Sequence, residues 1–250
     1  MRPIVWRVEH FDEIDSTNTY LTTKVSEDAP EGLVAIADFQ SSGRGRLDRQ
    51  WESPPRASLL CSMLLRPKLD ADRLQMVVAC VSLAARAALV RLSGVRPQLK
   101  WPNDLVVGDK KIAGLLAEVV ATELGFAVVV GLGVNLTYQG PEGVNATSVL
   151  DESGLTIAPR ALLDLVLEEI EPRRQQLSSD EGRRLLRGEY QRALATIGQR
   201  VRVEQLSGSV EGTAQGVDDS GQLLVDVDGE TRTFGVGDVV HVRPTESGTQ

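Results

Sequence analysis

The chain is expected to fold as an α+β protein: a mixed sheet flanked by helices, followed by a small β-barrel. Three observations carry that expectation. Strand-like and helix-like segments mix without strict βα alternation, two helical stretches follow the last long strand, and from Gln199 onward the texture changes to short alternating strands. With 250 residues, 42% hydrophobic and 25% charged, the chain can bury a full core, divided here as residues 1–198, 199–243 and a flexible tail, 244–250.

The elements follow in order. Asp15-Ser16-Thr17-Asn18 offers N-caps to a short helix through Val25, and the apolar run Leu33–Ala37 reads as a strand. Ser58–Leu65 reads as a central strand. Asp70 or Asp72 is placed to cap a longer helix whose Leu74, Val77, Val81, Ala84, Ala88 and Leu92 recur at helical spacing. Gly114–Val120 and Phe126–Asn135 read as further central strands, joined by a tight turn over 122–125. Helices are expected from Pro159 to Leu177, with proline near the start, and from Asp180 to Ala195. In the last region, 200–204, 223–227 and 230–234 alternate as strands around an Asp228-Gly229 hairpin turn.

Charge and cysteine content narrow the function. A net charge of -8 argues against a general nucleic-acid binder, whose affinity comes from a basic surface. Cys61 and Cys80 each sit in an apolar run and are expected as buried free thiols, which fits a reducing cytoplasm. Arg86 and Arg91 interrupt the longest apolar candidate for a membrane span, which needs about 18 residues.

Against this acidic background, Gly43-Arg44-Gly45-Arg46-Leu47-Asp48-Arg49-Gln50-Trp51 packs two glycines, three arginines and a tryptophan into nine residues. Glycines let backbone amides approach an anion closely, and guanidinium forks add bidentate donors. Trp51 adds a surface for an aromatic base. The loop follows a strand and Gln40-Ser41-Ser42, so it is expected to leave a sheet edge where ligands bind. A second group, Lys100-Trp101-Pro102-Asn103-Asp104, is turn-forming, and Gly108-Asp109 makes another turn that returns Lys110 and Lys111 toward the sheet. Gly131-Leu132-Gly133-Val134-Asn135 places an amide side chain at a strand end.

Taken together and in this order, Ser16-Thr17-Asn18, Gln40, the arginine loop with Trp51, Lys100–Asp104, Lys111-Ile112-Ala113-Gly114 and Gly131–Asn135 resemble the biotin protein ligase family over essentially the whole chain. The resemblance implies a catalytic domain related to class II aminoacyl-tRNA synthetases and an SH3-like C-terminal domain. It further implies a cytoplasmic enzyme that uses ATP, with Mg²⁺, to convert biotin to biotinyl-5′-AMP and then modifies a lysine of carrier domains in biotin-dependent carboxylases. The catalytic pattern begins almost at Met1, so a monofunctional type without an N-terminal DNA-binding domain is expected, with no DNA and no membrane as partner. By the same resemblance, Lys111 and Arg46 are the catalytic candidates. Ser16, Thr17, Asn18, Gln40, Gly43, Arg44, Gly45, Arg46 and Lys111 would bind biotin. Arg49, Trp51, Asn103, Asp104, Asn135 and Ala146 would serve the nucleotide, with Asp104 toward the metal. The three arginines are expected to repel one another until an anion compensates them. Asp48 departs from the glycine that many relatives carry, and Pro55–Ser58 differs from their usual turn. A lipoate-type ligase and a non-catalytic biotin-sensing regulator are the alternatives; the motifs fit the biotin set better.

Overall fold

The computed structural model of the chain describes residues 3–123, 125–205, 208–235 and 237–241; the expected tail, 244–250, lies outside them. In chain order the elements are β1 (Arg7–Phe11), α1 (Thr17–Ser26), β2 (Leu33–Ala37), β3 (Ser58–Leu65), α2 (Gln75–Ser93), β4 (Gln98–Lys100), β5 (Asp104–Val107), β6 (Lys110–Thr122), β7 (Gly125–Asn135), α3 (Val149–Ser153), α4 (Pro159–Gln176), α5 (Asp180–Ala193), β8 (Arg200–Gln205), β9 (Gly208–Val217), β10 (Leu223–Val227), β11 (Glu230–Phe234) and β12 (Asp238–His241). The first seven strands form one sheet in the order β1-β2-β3-β7-β6-β5-β4. Only β1 and β2 run parallel, so the sheet is mixed, as expected.

Period-two alternation in the central strands divides their side chains between two cores. Leu59, Cys61, Met63 and Leu65 of β3 join Val128, Val130, Leu132 and Val134 of β7 in the large core, which α2 and α4 cover. The opposite face is thinner: Leu64, Ala127 and Val129 pack with Leu33, Ala35 and the α1 residues Leu21 and Val25. Burial on both faces explains why these strands read as unbroken apolar runs. Beyond Val129, that thin face continues along β7 as Gly131 and Gly133, and along β6 as Glu118, Leu116 and Gly114. The open part of this face holds the site.

Several local expectations need correction. α2 takes no side-chain cap from Asp70 or Asp72: the chain enters it through a 3₁₀ turn, Ala71–Arg73, whose main-chain bonds satisfy the Arg73 and Leu74 amides, and the Val77 amide donates to Leu74 O. The helix ends at Gly94, whose φ of 75° is the left-handed cap that glycine supplies. With the turn before it, α2 is long and apolar enough to cross a membrane by composition alone, and its apolar residues are buried in the large core. β6 begins at Lys110 rather than Gly114, so the two lysines stand in the first paired residues of a strand. β4 and β5 flank the Trp-Pro-Asn-Asp turn but are too short to show a period, and β1 is a half-exposed edge strand. The arginine loop leaves β2, which lies inside the sheet with β1 at the edge.

Strands β8 to β12 form a five-stranded antiparallel sheet in the order β11-β10-β9-β8-β12, the small SH3-like unit. Asp228 and Gly229 both have positive φ at the β10–β11 turn, the hairpin geometry that an Asp-Gly pair favours. This sheet shares the large core through Val201, Val203, Ala214, Leu223 and Val225. Trp101 ties it to the site: the indole Nε1 donates to Gly221 O at 3.1 Å, and the Trp101 amide donates to Thr196 Oγ1 at 3.1 Å.

Cys61 and Cys80 are unpaired and buried, and burial pushes both thiols up to about 12. Neither is a thiolate near neutral pH. In the folded protein at pH 8, both thiols are expected to resist iodoacetamide and to react together once denaturant unfolds the chain. Rapid native alkylation of either, read by mass spectrometry, would contradict this packing.

Candidate active site

Three glycines prepare the floor. Gly114 of β6 and Gly133 of β7 are direct cross-strand partners, and Gly131 pairs with Leu116. A Cβ built on Gly133 would lie 2.6–3.0 Å from the Trp51 ring, one on Gly114 3.2 Å from it, and one on Gly131 2.3 Å from Asn18 Oδ1. Any larger residue would therefore collide with a side chain of the site. Trp51 lies on the first two, and among the described residues its buried Nε1 meets no hydrogen-bond partner.

The start of α1 supplies one wall. Ser16 caps the helix, and Thr17 and Asn18 are buried in its first turn. The Thr17 amide and hydroxyl reach Gln40 Oε1 at 2.7 and 2.9 Å. Thr17 Oγ1 also lies 2.7 Å from Ser62 Oγ, which donates to Asn18 Oδ1 at 2.6 Å. Asn18 Nδ2 in turn donates to Glu118 Oε2 at 2.8 Å and to Leu116 O at 3.2 Å. Neither Ser62 nor Glu118 was singled out from sequence; Ser62, a fully buried hydroxyl inside the apolar β3 run, carried a usable signal.

The arginine loop is a hairpin. Trp51 N donates to Gly43 O at 3.0 Å, Gly45 N to Arg49 O at 2.7 Å, and Arg49 N to Arg46 O at 3.2 Å. Leu47 and Asp48, at the tip, have φ of 54° and 57°. Two consecutive left-handed residues are a conformation that glycine adopts most easily, and aspartate is among the side chains that tolerate this region. The expected mutual repulsion of the arginines is corrected by the structure. Arg44 pairs with Glu118 at 2.9 Å, while Arg46 at 3.5 Å and Arg49 both pair with Asp238 of β12. Arg46 also donates to Asn103 Oδ1 at 3.1 Å and Gly237 O at 3.2 Å. Burial draws its guanidinium below the ordinary value, and Asp238 and Asp104 oppose that shift.

Lys111 is held from both sides. Its amide donates to Asn145 O at 3.0 Å, and its carbonyl accepts from Thr147 N at 2.9 Å, pairing it with Ala146. Asn135 steadies that segment by donating to Thr147 O at 3.0 Å. The Lys111 ammonium lies 2.7 Å from Asp104 Oδ1 and 5.5 Å from the centre of the Trp51 ring. Asn103 joins β5 to β6 by donating to Leu115 O at 2.7 Å.

Two cavities meet here. The narrow one, about 60 Å³, is bounded by Ser16, Thr17, Asn18, Gln40 and Arg44. The wide one, about 420 Å³, is bounded by Arg49, Asp104, Asn135, Ala146 and Asp238, a size in the range of ligand pockets. Gly45, Arg46, Trp51, Asn103 and Lys111 border both. Gly43 borders neither: it closes the hairpin neck, where a Cβ would lie 2.3 Å from Trp51 O. It is a backbone requirement rather than a wall.

Comparison with known proteins agrees with this arrangement. Residues 10–135 match the biotin/lipoate A/B protein ligase family, and residues 196–242 match the biotin protein ligase C-terminal domain. The biotin–[acetyl-CoA-carboxylase] ligase of Mycobacterium tuberculosis is 36% identical over 247 residues, 95% of this chain and 90% of that protein. The bifunctional ligase/repressor BirA of Escherichia coli is 29% identical, over 90% of this chain and 71% of its own length. Among solved structures, the Aquifex aeolicus biotin protein ligase in complex with biotin and ATP superposes with a TM-score of 0.80 at 26% identity, covering 94% of this chain and 98% of that one.

The glycine floor makes a direct prediction. Gly133→Ala should displace the Trp51 indole, shift its emission, and cost about 1–3 kcal/mol, the usual penalty for overpacking. Fluorescence and a denaturant titration measure both; an unchanged spectrum and midpoint would show that Trp51 does not rest there.

Proposed function

The chain belongs to the biotin protein ligase family, and from that premise we infer that it joins biotin to a carrier-domain lysine in two steps driven by ATP. The observation that carries this reading is the meeting of a narrow, polar-ended cavity with a nucleotide-sized one at Lys111 and Arg46. Biotin would lie in the narrow cavity with its ureido head toward Ser16, Thr17, Asn18 and Gln40 and its carboxylate toward Lys111. ATP would occupy the wide one. The C-terminal match favours this over a lipoate-type ligase, and a site furnished for charge development favours an enzyme over a sensor.

In the first step a biotin carboxylate oxygen attacks the α-phosphorus, the bond to pyrophosphate breaks, and biotinyl-5′-AMP forms. Negative charge gathers at one point, where the Lys111 ammonium and Arg46 guanidinium are already in place and need little reorganisation. Arg49 would meet the outer phosphates and Trp51 would flank adenine, while Asn103, Asn135 and Ala146 shape the nucleotide end. The Asp104 carboxylate borders this cavity with Oδ1 on the Lys111 ammonium at 2.7 Å, and its remaining lone pairs would suit a Mg²⁺ shared with the phosphates, the usual manner of Mg²⁺ binding. That ion would supply charge neutralisation. In the second step a neutral lysine amine of the carrier attacks the acyl carbon, AMP leaves, and the amine gives up a proton. Carrier domains of biotin-dependent carboxylases are the protein substrate, and the cytoplasm, where buried thiols stay free, is the compartment.

Two predictions test the roles. Lys111→Ala should slow biotin-dependent pyrophosphate release by about a hundredfold or more, a loss of about 3 kcal/mol, while the circular dichroism spectrum stays unchanged. Release at the native rate would remove Lys111 from the chemistry. Arg46→Gly deletes the bonds that tie the hairpin to Asn103 and Gly237, so the loop should retain the adenylate poorly. Labelling of an unrelated protein and the adenylate off-rate should both rise more than adenylate formation falls; if neither changes, the loop is not a lid.

A further inference from the structure

Glu118 lies on β6, two residues past Leu116 and four past Gly114, so its side chain leaves the strand on the same face as the glycine floor. It borders neither cavity, yet two residues of the narrow one converge on its carboxylate. Arg44 Nη1 donates to Oε1 at 2.9 Å and to Oε2 at 3.1 Å, and Asn18 Nδ2 donates to Oε2 at 2.8 Å. A carboxylate only accepts, as does the Leu116 carbonyl beside it, so Asn18 must turn its Nδ2 toward them and its Oδ1 toward Ser62. Ser62 has a single proton. Once that proton serves Asn18, the Asn18 amide is oriented from both ends, its Oδ1 by Ser62 and its Nδ2 by Glu118 and the Leu116 carbonyl.

We propose that Glu118 is a positioning residue for substrate capture: it holds Arg44 at the narrow cavity and fixes the orientation of the Asn18 amide. It acts on the substrate only through those two side chains. The inference rests on the assignment of the narrow cavity to biotin. Its consequence is kinetic: the groups that Glu118 orients face the head of the substrate, whereas the reacting carboxylate lies at the Lys111 end. Losing the charge should therefore weaken capture and leave the chemical step alone.

The test is Glu118→Gln, nearly equal in shape and placed on a partly exposed side chain, so the fold should survive. In biotin-dependent pyrophosphate exchange, KM for biotin should rise about fivefold while kcat changes by less than about twofold. In the ligand-free protein, limited trypsin cleavage after Arg44 should accelerate by about fivefold as the guanidinium loses its anchor, with cleavage elsewhere unchanged. In an Arg44→Gln background the same substitution should raise KM by much less, because only the Asn18 contact is left to lose. Unchanged KM and unchanged cleavage would overturn the proposal. So would a fall in kcat with KM intact, or a KM rise undiminished by Arg44→Gln. If the native protein turned over no biotin at all, the functional reading would fail, and the ligand-free cleavage comparison would still decide the role of Glu118.

Discussion

The absence of three Cβ atoms on neighbouring strands is the constraint on which the site depends. Gly114 and Gly133 face each other across β6 and β7, and Gly131 follows on the same face, so the sheet presents bare backbone there. Trp51 can lie flat only on such a surface, and Asn18 can reach into the sheet only past Gly131. Glycine within strands weakens them, and here ten paired positions between β6 and β7, with the large core behind, offset that weakness. The large core stabilises the fold. The thin face, covered by α1 and by Trp51 of the arginine hairpin, holds the site.

On this floor the polar groups arrive from distant parts of the chain. Thr17 and Asn18 come from a helix start, Ser62 and Glu118 from two strands, Arg44 and Arg46 from a hairpin, and Asp238 from the C-terminal sheet. Their mutual satisfaction is what lets so many polar atoms share one place, since each would be costly if buried alone. Arg46 illustrates the balance: its environment withdraws solvent, and Asp238, Asn103 and the Gly237 carbonyl replace it. The Arg46 guanidinium beside the wide cavity is thus already oriented.

Trp101 connects this chemistry to the second sheet. Fully buried, it donates from its indole to the Gly221 carbonyl and from its backbone to Thr196, while Pro102 O accepts from Gln75 Nε2 at 3.3 Å. The turn carrying Asn103 and Asp104 is therefore pinned by α2, by the segment before β8 and by the β9–β10 connection. The C-terminal sheet contributes to the active site twice, through this pin and through Asp238, and the shared core makes the two sheets one packed unit.

Much of this was legible in the residues themselves. Unbroken apolar runs located β2, β3 and β7, caps and helical spacing located α1, α2, α4 and α5, and alternation located β8, β10 and β11. The arginine-rich run stood out by its residue types, whereas Lys111 and the Ser-Thr-Asn start of α1 gained meaning only from their order beside it, through the family resemblance. Strands β1, β4, β5, β9 and β12 did not stand out, being too short or too exposed to carry a pattern. The partners were hidden as well: an acidic residue looks the same in sequence whether it faces water, as Asp12 does, or neutralises two arginines from some 190 positions away, as Asp238 does. The sequence by itself determined the long elements and which chemistry the chain carries, since both are written in local pattern and residue type. Which carboxylate meets which guanidinium, and which glycine supports which ring, was decided only by the tertiary structure, because those contacts depend on strand register and on distances that no local pattern encodes.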